Sequence, residues 1–298
     1  MAARAAREVI LAAGAVNSPQ LLMLSGIGPA DELRALGIEP RLDSAAVGRH
    51  LQDHLCMDYV YRSRRPTLNN QLYPLWGKLW AGARYVLTRR GPLCLSVNQS
   101  GGFVRTREEY PRPNIQLYFS PVSYLKAPPG KRPMMQPDPY PAFLLSVSPT
   151  RPTSRGRLTL RSADPFAPPS IQPNYLSTDK DLDDMIDGVR LLRMLASTPS
   201  LSAVIEEEML PGPQVDGRDA LLDDVRRRCG TVFHPVGTCR MGPDPKSSVV
   251  DHRLKVHGAA GLRVVDASVF PSVTSGNTNA PAIMTGEKGA DLILEEAR

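Results

Sequence analysis

The stretch "REVILAAGAVNSPQLLMLSG", Arg7 to Gly26, constrains the fold more than any other part of the chain. Its first apolar segment reads as a buried strand, Gly14 supplies a tight turn, and Asn17 or Ser18 can cap a helix with Pro19 at its first position. A strand, a turn and a helix in that order form the repeating unit of α/β proteins. Such a unit sets a helix N-terminus beside the carboxyl edge of a parallel sheet, a favourable place for a phosphate or nucleotide. The very start, "MAARAAREVILAAGAVNS", also invites comparison with a secretory signal, but Glu8 interrupts it and "EVILAAG" fits a strand better.

With 298 residues, 42% of them hydrophobic and 22% charged, the chain can bury a sizeable core in one large domain or two modest ones. The net charge of +6 raises nucleic acid as a partner, yet the cations are scattered. "RSRR" (62–65) and "RRR" (226–228) are too short for a basic block and read as solvated faces, so no nucleic acid is expected. Cys56, Cys94, Cys229 and Cys239 lie far apart without a C-x-x-C pair, which argues against a disulfide scaffold or zinc ribbon and for a reducing compartment. No apolar run approaches the roughly 20 residues needed to span a bilayer. A cytoplasmic location is the resulting expectation.

Residues 57–228 are proline-rich, as in "KAPPGKRPMMQPDPYP" (126–141), and contain alternating runs that predict half-buried strands: Ile115, Leu117 and Phe119 in one, Leu158 and Leu160 in another. One helix stands out. Thr178 and Asp181 form a candidate capping box, and Met185, Val189, Leu192 and Ala196 mark an apolar stripe that reads as core. A helix with antiparallel strands predicts an α+β module.

The last stretch, from residue 229, carries most of the chemistry. "TVFHPVGTCRMG" (231–242) places His234 before a proline and a glycine turn, on an extended segment or loop. Histidine is the side chain whose unperturbed pKa lies near neutrality, so His234 can be a catalytic base, a metal ligand or a satisfied core residue. Beyond it lie the strand-like "LRVVDAS" (262–268), the polar loop "TSGNTNAP" (274–281) and a final helix. Other histidines have plainer readings. His50 and His54 share helical spacing, but no Glu follows His50 as in H-E-x-x-H, so no metal is expected; His252 and His257 read as solvent-exposed, and Cys239 as a small buried hydrophobe.

Taken together, "GAVNSPQLLMLSGIGP" (14–29), "VGRHLQDHL" (47–55), "HPVGTCRMG" (234–242) and "VVDASVFPSVTSGNTNAPAIMTGEKGADLIL" (264–294) resemble the glucose-methanol-choline, or GMC, oxidoreductases. The resemblance implies an α/β FAD-binding domain, Rossmann-like and of the GMC type, with an α+β substrate-binding domain containing a mostly antiparallel sheet. It assigns 1–56 to part of the FAD-binding domain, 57–228 to the substrate-binding domain, and 229–298 to the C-terminal part of the FAD-binding domain with the catalytic residues. It further implies oxidation of an alcohol to a carbonyl by hydride transfer to flavin N5, with His234 as the base and Asn279 beside it holding the oxygen. Asp266, Ala267, Asn277 and Thr278 would approach the flavin and its ribityl chain, Gly14 would lie near the adenosine end, and His54 would be structural near the cofactor. The electron acceptor would be oxygen or a quinone-like molecule. Choline-oxidising relatives are expected to carry a carboxylate where "VNQSGGF" has Gln99, which points to an uncharged primary alcohol.

One departure stands against the resemblance: no G-x-G-x-x-G occurs anywhere in the sequence. That glycine turn carries the FAD pyrophosphate. The chain is therefore expected to be the C-terminal part of a GMC enzyme lacking its N-terminal half, with the alternative of a non-catalytic remnant or one half of a split enzyme unable to bind FAD alone.

Overall fold

The computed structural model describes residues 4–125 and 136–296. The proline-rich stretch that begins at residue 126 therefore lies mostly outside the described residues. Contacts divide the chain into two compact units, Met1–His54 with Arg151–Asp181 and Thr231–Arg298, and Leu55–Thr150 with Leu182–Gly230. The stretch 151–181, which the sequence groups with the middle of the chain, thus packs with the two ends.

The first unit contains the expected strand, Val9–Leu11, paired in parallel with Leu262–Val264 in the register Val9↔Leu262 and Leu11↔Val264. Val9 and Ile10 are 48% and 45% exposed, so this two-stranded piece of parallel sheet does not cover its own apolar side chains. The helix after it spans Gly14–Leu24 and begins earlier than its caps suggest. Gly14 takes φ +81, which glycine adopts without Cβ strain, and the chain turns there directly into the helix. Ser18 and Asp266 fasten this start: the Ser18 hydroxyl accepts from the Ala13 amide at 3.0 Å and donates to the Asp266 carboxylate at 2.5 Å.

Pro19 consequently sits inside the helix, not at its first position. Proline has no N–H, so the carbonyl four residues earlier, that of Ala15, loses its helical donor. The Thr238 hydroxyl replaces it, donating to the Ala15 oxygen at 2.6 Å in a buried setting. Leu22 and Met23 of this helix join Leu33, Val47, Leu158, Val236, Val250, Val264 and Phe270 in one continuous core. Cys239 is buried in it, as its apolar neighbours predict, and burial pushes its thiol far above the usual range.

The second unit is built on an antiparallel sheet whose strands run Ile205–Leu210, Leu55–Ser63, Ala142–Pro149, Ile115–Ser120 and Ser100–Val104 in order across it. The strand Ile115–Ser120 is the one foreseen from alternation. Ala142–Pro149 is central and buried along its whole length. The helix Asp179–Ala196 lies on this sheet through Met185, Val189 and Leu192, all fully buried. Gly188 permits the close approach: a Cβ there would stand 3.2 Å from the Ile115 side chain and 3.3 Å from that of Val147. At the helix start, Thr178 does accept from the Asp181 amide, at 3.4 Å. The Asp181 carboxylate, however, binds the Thr153 and Ser154 amides, each at 2.8 Å. Burial alone would raise its pKa, but hydrogen bonds from Ser154 and Thr153 outweigh that and hold the carboxyl below the ordinary aspartate value.

Candidate active site

Two segments distant in sequence run side by side in the first unit. The Gln52 amide donates to the Val236 carbonyl at 3.0 Å, the Val236 amide returns a bond to Gln52 at 2.9 Å, and the Val232 amide donates to the His54 carbonyl at 3.2 Å. This pairing brings "QDH" alongside "VFHPV". Pro235 forbids a helix at His234, and Phe233 takes a left-handed φ of +61 immediately before it, so the imidazole projects from a fixed bend.

Asp53 fixes that bend. One carboxylate oxygen accepts from the backbone amides of His54 and His234, each at 2.8 Å; the other accepts from the Tyr175 and Thr231 hydroxyls, each at 2.5 Å. Bonds to a carboxylate are stronger than neutral ones, and four converge on a side chain that is almost wholly buried. A single residue therefore sets the backbone positions of both histidines.

The two rings then meet edge to face, with centroids 5.3 Å apart and planes at 86°. Their Nδ1 atoms are 3.0 Å apart, so the pair shares one proton between two nitrogens: one Nδ1 donates and the other accepts. If His54 were the donor, neutral His234 would carry its proton on Nε2 and could accept nothing there. The Asn277 amide nitrogen stands 3.3 Å from His234 Nε2. With the amide in this orientation the contact suits the tautomer with hydrogen on Nδ1 and an acceptor at Nε2. Burial, and then the neighbouring His54, lower the His234 pKa from the ordinary histidine value, while Asp53 pulls it the other way. His234 therefore stays neutral, able to accept a proton, to a lower pH than an exposed histidine would.

The asparagine that reaches His234 is Asn277. Asn279, paired with the histidine on the strength of the resemblance, is the first residue of the helix Asn279–Glu296, after the buried Thr278. Asp266 and Gly14 are brought together: the Gly14 amide donates to the Asp266 carboxylate at 3.0 Å, as does the Ser268 amide at 2.8 Å. Asp266 is thus occupied inside the protein, capping the turn Ala267–Val269 and tying it to the first helix. His257 is not solvent-exposed as its sequence context suggests. It is half-buried, with Nε2 at 3.0 Å from the Gly242 carbonyl. Asp53, Tyr175 and the His54–His234 contact leave little signal in the sequence, where the "DH" dipeptide in "HLQDH" is their local trace.

Profiles of known families decide what these elements belong to. Residues 1–56 and 152–286 match the two GMC oxidoreductase profiles, N-terminal and C-terminal respectively. The chain belongs to the GMC oxidoreductase family. Within that family it is 42% identical over 290 residues to an alcohol dehydrogenase [acceptor] of Pseudomonas putida, covering 97% of this chain and 51% of the relative. To the mitochondrial choline dehydrogenase of Homo sapiens it is 42% identical over 293 residues, covering 98% of this chain and 48% of the relative. Among solved structures, formate oxidase of Aspergillus oryzae RIB40 superposes with a TM-score of 0.88 at 31% identity, over 98% of this chain and 55% of that one. The chain spans about half the length of the curated relatives it matches.

GMC oxidoreductases are FAD-dependent and act on CH–OH donors. Two observations fit such a group. Gly14 has nothing within 4 Å of the place a Cβ would take, which leaves its backbone open to a ligand, and the N-terminus of the 18-residue helix Asn279–Glu296 offers donors beside Asn277 and Thr278. The residues present suit part of a flavin dinucleotide site, and a glycine-rich pyrophosphate turn is not among them.

Proposed function

We propose that this chain supplies the base and part of the cofactor cradle of an FAD-dependent enzyme that oxidises an uncharged primary alcohol to a carbonyl. The observation that carries this reading is the buried His234 ring, in contact with His54 through Nδ1 at 3.0 Å and with the Asn277 amide through Nε2 at 3.3 Å; we assign the acceptor role to Nε2, and substrate takes the place of Asn277 there. His234 Nε2 takes the hydroxyl proton, and the resulting imidazolium keeps its second proton on Nδ1, donated to His54. The Asn277 amide holds the oxygen as negative charge grows on it. FAD, when bound, supplies the two-electron acceptor for the hydride that leaves the carbon. Gly14, Ala267 and Thr278 are the backbone and side-chain contacts we assign to FAD, with Asp266 acting through the turn it fastens. A reducing cytoplasm suits four cysteines that form no disulfide among the described residues.

Replacing each asparagine in turn tests the assignment within the "NTN" loop. In the FAD-loaded enzyme, with the complementary glycine-rich segment supplied in one chain or by co-expression, Asn277→Ala should lower kcat/KM by about 10- to 10³-fold, the range for one lost donor to a developing oxyanion. Asn279→Ala, at the helix start, should instead act mainly on FAD retention. If the kinetic loss follows Asn279 and not Asn277, the proposed pairing with His234 is wrong.

A second expectation follows from the missing glycine turn and from the uncovered strand Val9–Leu11. Residues 1–298 alone should keep little FAD through gel filtration, because nothing in the sequence cradles the pyrophosphate. A yellow protein with near-stoichiometric FAD would contradict this, and would show that the chain holds its cofactor unaided.

A further inference from the structure

The helix Leu75–Thr88 stands apart from the catalytic question. Its inner side is fixed on the short helix Leu68–Leu72: Ala81 is fully buried, and Gly77 sits so close that a Cβ would collide with the Gln71 carbonyl. The opposite side is apolar and uncovered. Leu75, Trp76, Leu79, Trp80, Val86 and Leu87 are all exposed, Trp76 by 80% and Leu87 by 81%. At 3.6 residues per turn these six fall within an arc of about 140° along a rod of about 21 Å. Lys78 and Arg84 border the arc on its two sides, and Arg89 and Arg90 follow at the helix end. No acidic residue occurs between Asp58 and Glu108.

We propose that this helix docks the protein on an anionic phospholipid surface, lying in the plane of the interface. Three features select lipid over a protein partner. Both tryptophans of the whole chain stand on this one face, and indole rings favour the boundary between headgroups and acyl chains. The cations flank the apolar arc, where Lys and Arg stems can lie along it while their charges reach the phosphates. The apolar arc and its cationic rim are together the pattern of an in-plane helix, and no helix among the described residues is long and apolar enough to cross a membrane instead.

The test uses the purified protein, with FAD and any accompanying segment present, and vesicles of phosphatidylcholine with or without phosphatidylglycerol. Cosedimentation should be strong only with the anionic vesicles, and the emission of Trp76 and Trp80, read as the difference from a Trp76→Phe, Trp80→Phe variant, should shift to the blue on binding. Leu79→Glu with Leu87→Glu keeps both reporters and should lower partitioning by about tenfold or more. Replacing Arg84, Arg89 and Arg90 by Gln should cost about fivefold each on anionic vesicles and nothing on neutral ones. All five positions are exposed, so an unchanged melting curve certifies folding. The proposal is overturned if anionic vesicles do not bind, or if the Leu79→Glu, Leu87→Glu variant binds equally well. Emission already blue-shifted without lipid would overturn it too, because a second copy or an accompanying segment would then cover the stripe.

Discussion

His234→Ala in the FAD-loaded enzyme should lower kcat/KM by about 10² to 10⁴-fold while leaving flavin absorbance and melting temperature nearly unchanged. The loss is expected to be large because the proposed role of the side chain is to take the substrate proton, and small in stability because its backbone is held by Asp53 and not by the ring. The pH profile separates this from a structural role. If His234 is the base, as proposed, activity of the wild type requires it neutral and should fall as pH drops through the His234 pKa. Burial and His54 lower that pKa, which puts the acid limb below the ordinary histidine value of about 6.5. The variant should lose the limb along with the rate. Near-wild-type turnover by His234→Ala with flavin bound would remove the base from the mechanism altogether.

Asp53 should give the opposite pattern, a stability loss and a kinetic loss together. Asp53→Ala strands two backbone amides and two hydroxyls that now share its carboxylate, and unsatisfied buried donors cost about 1–3 kcal/mol each before water enters to relieve them. A net loss of about 3 kcal/mol corresponds to a melting temperature lower by roughly 6–12 °C. Freed from the carboxylate, the bend that aims His234 relaxes, and a misplacement of about 1 Å costs on the order of 10²-fold in rate. Asp53→Asn keeps an acceptor for the two amides but turns a donor toward Tyr175 and Thr231, so it should lie between wild type and alanine on both measures. A melting curve that does not move in Asp53→Ala would mean the four bonds contribute nothing to holding the site.

What could be read from residues alone divides along the range of the interactions. The first strand and helix, the strand Ile115–Ser120 and the stripe Met185–Val189–Leu192 are written in local periodicity, so sequence spacing finds them. The strand Ala142–Pro149 is buried on both faces and so shows no alternation to recognise. Pro19 misled because proline is normally a mark of the first helical turn, and its tolerance deeper in depends on a hydroxyl 219 positions away, Thr238. In the candidate site, His234 is marked out by its local setting, its chemistry and the family likeness. The distinction between Asn277 and Asn279 depends on where one loop turns into a helix, and the role of Asp53 depends on tertiary donors, neither of which spacing records.

The parallel pairing of Val9–Leu11 with Leu262–Val264 has a consequence for how the protein comes into being. A ribosome adding about 5–20 residues per second delivers the second strand roughly 13–50 s after the first. Throughout that interval Val9–Leu11 waits for its pairing with Leu262–Val264, and the helix after it lacks the Thr238 hydroxyl. Five strands of the antiparallel sheet are made once Leu210 emerges, the short Gly230–Thr231 that also pairs Leu55–Ser63 follows soon after, and the sheet can form while synthesis continues. The parallel pair thus closes only after the strands of the antiparallel sheet have been made, and a chaperone that holds Val9–Leu11 would have its longest working time at this strand.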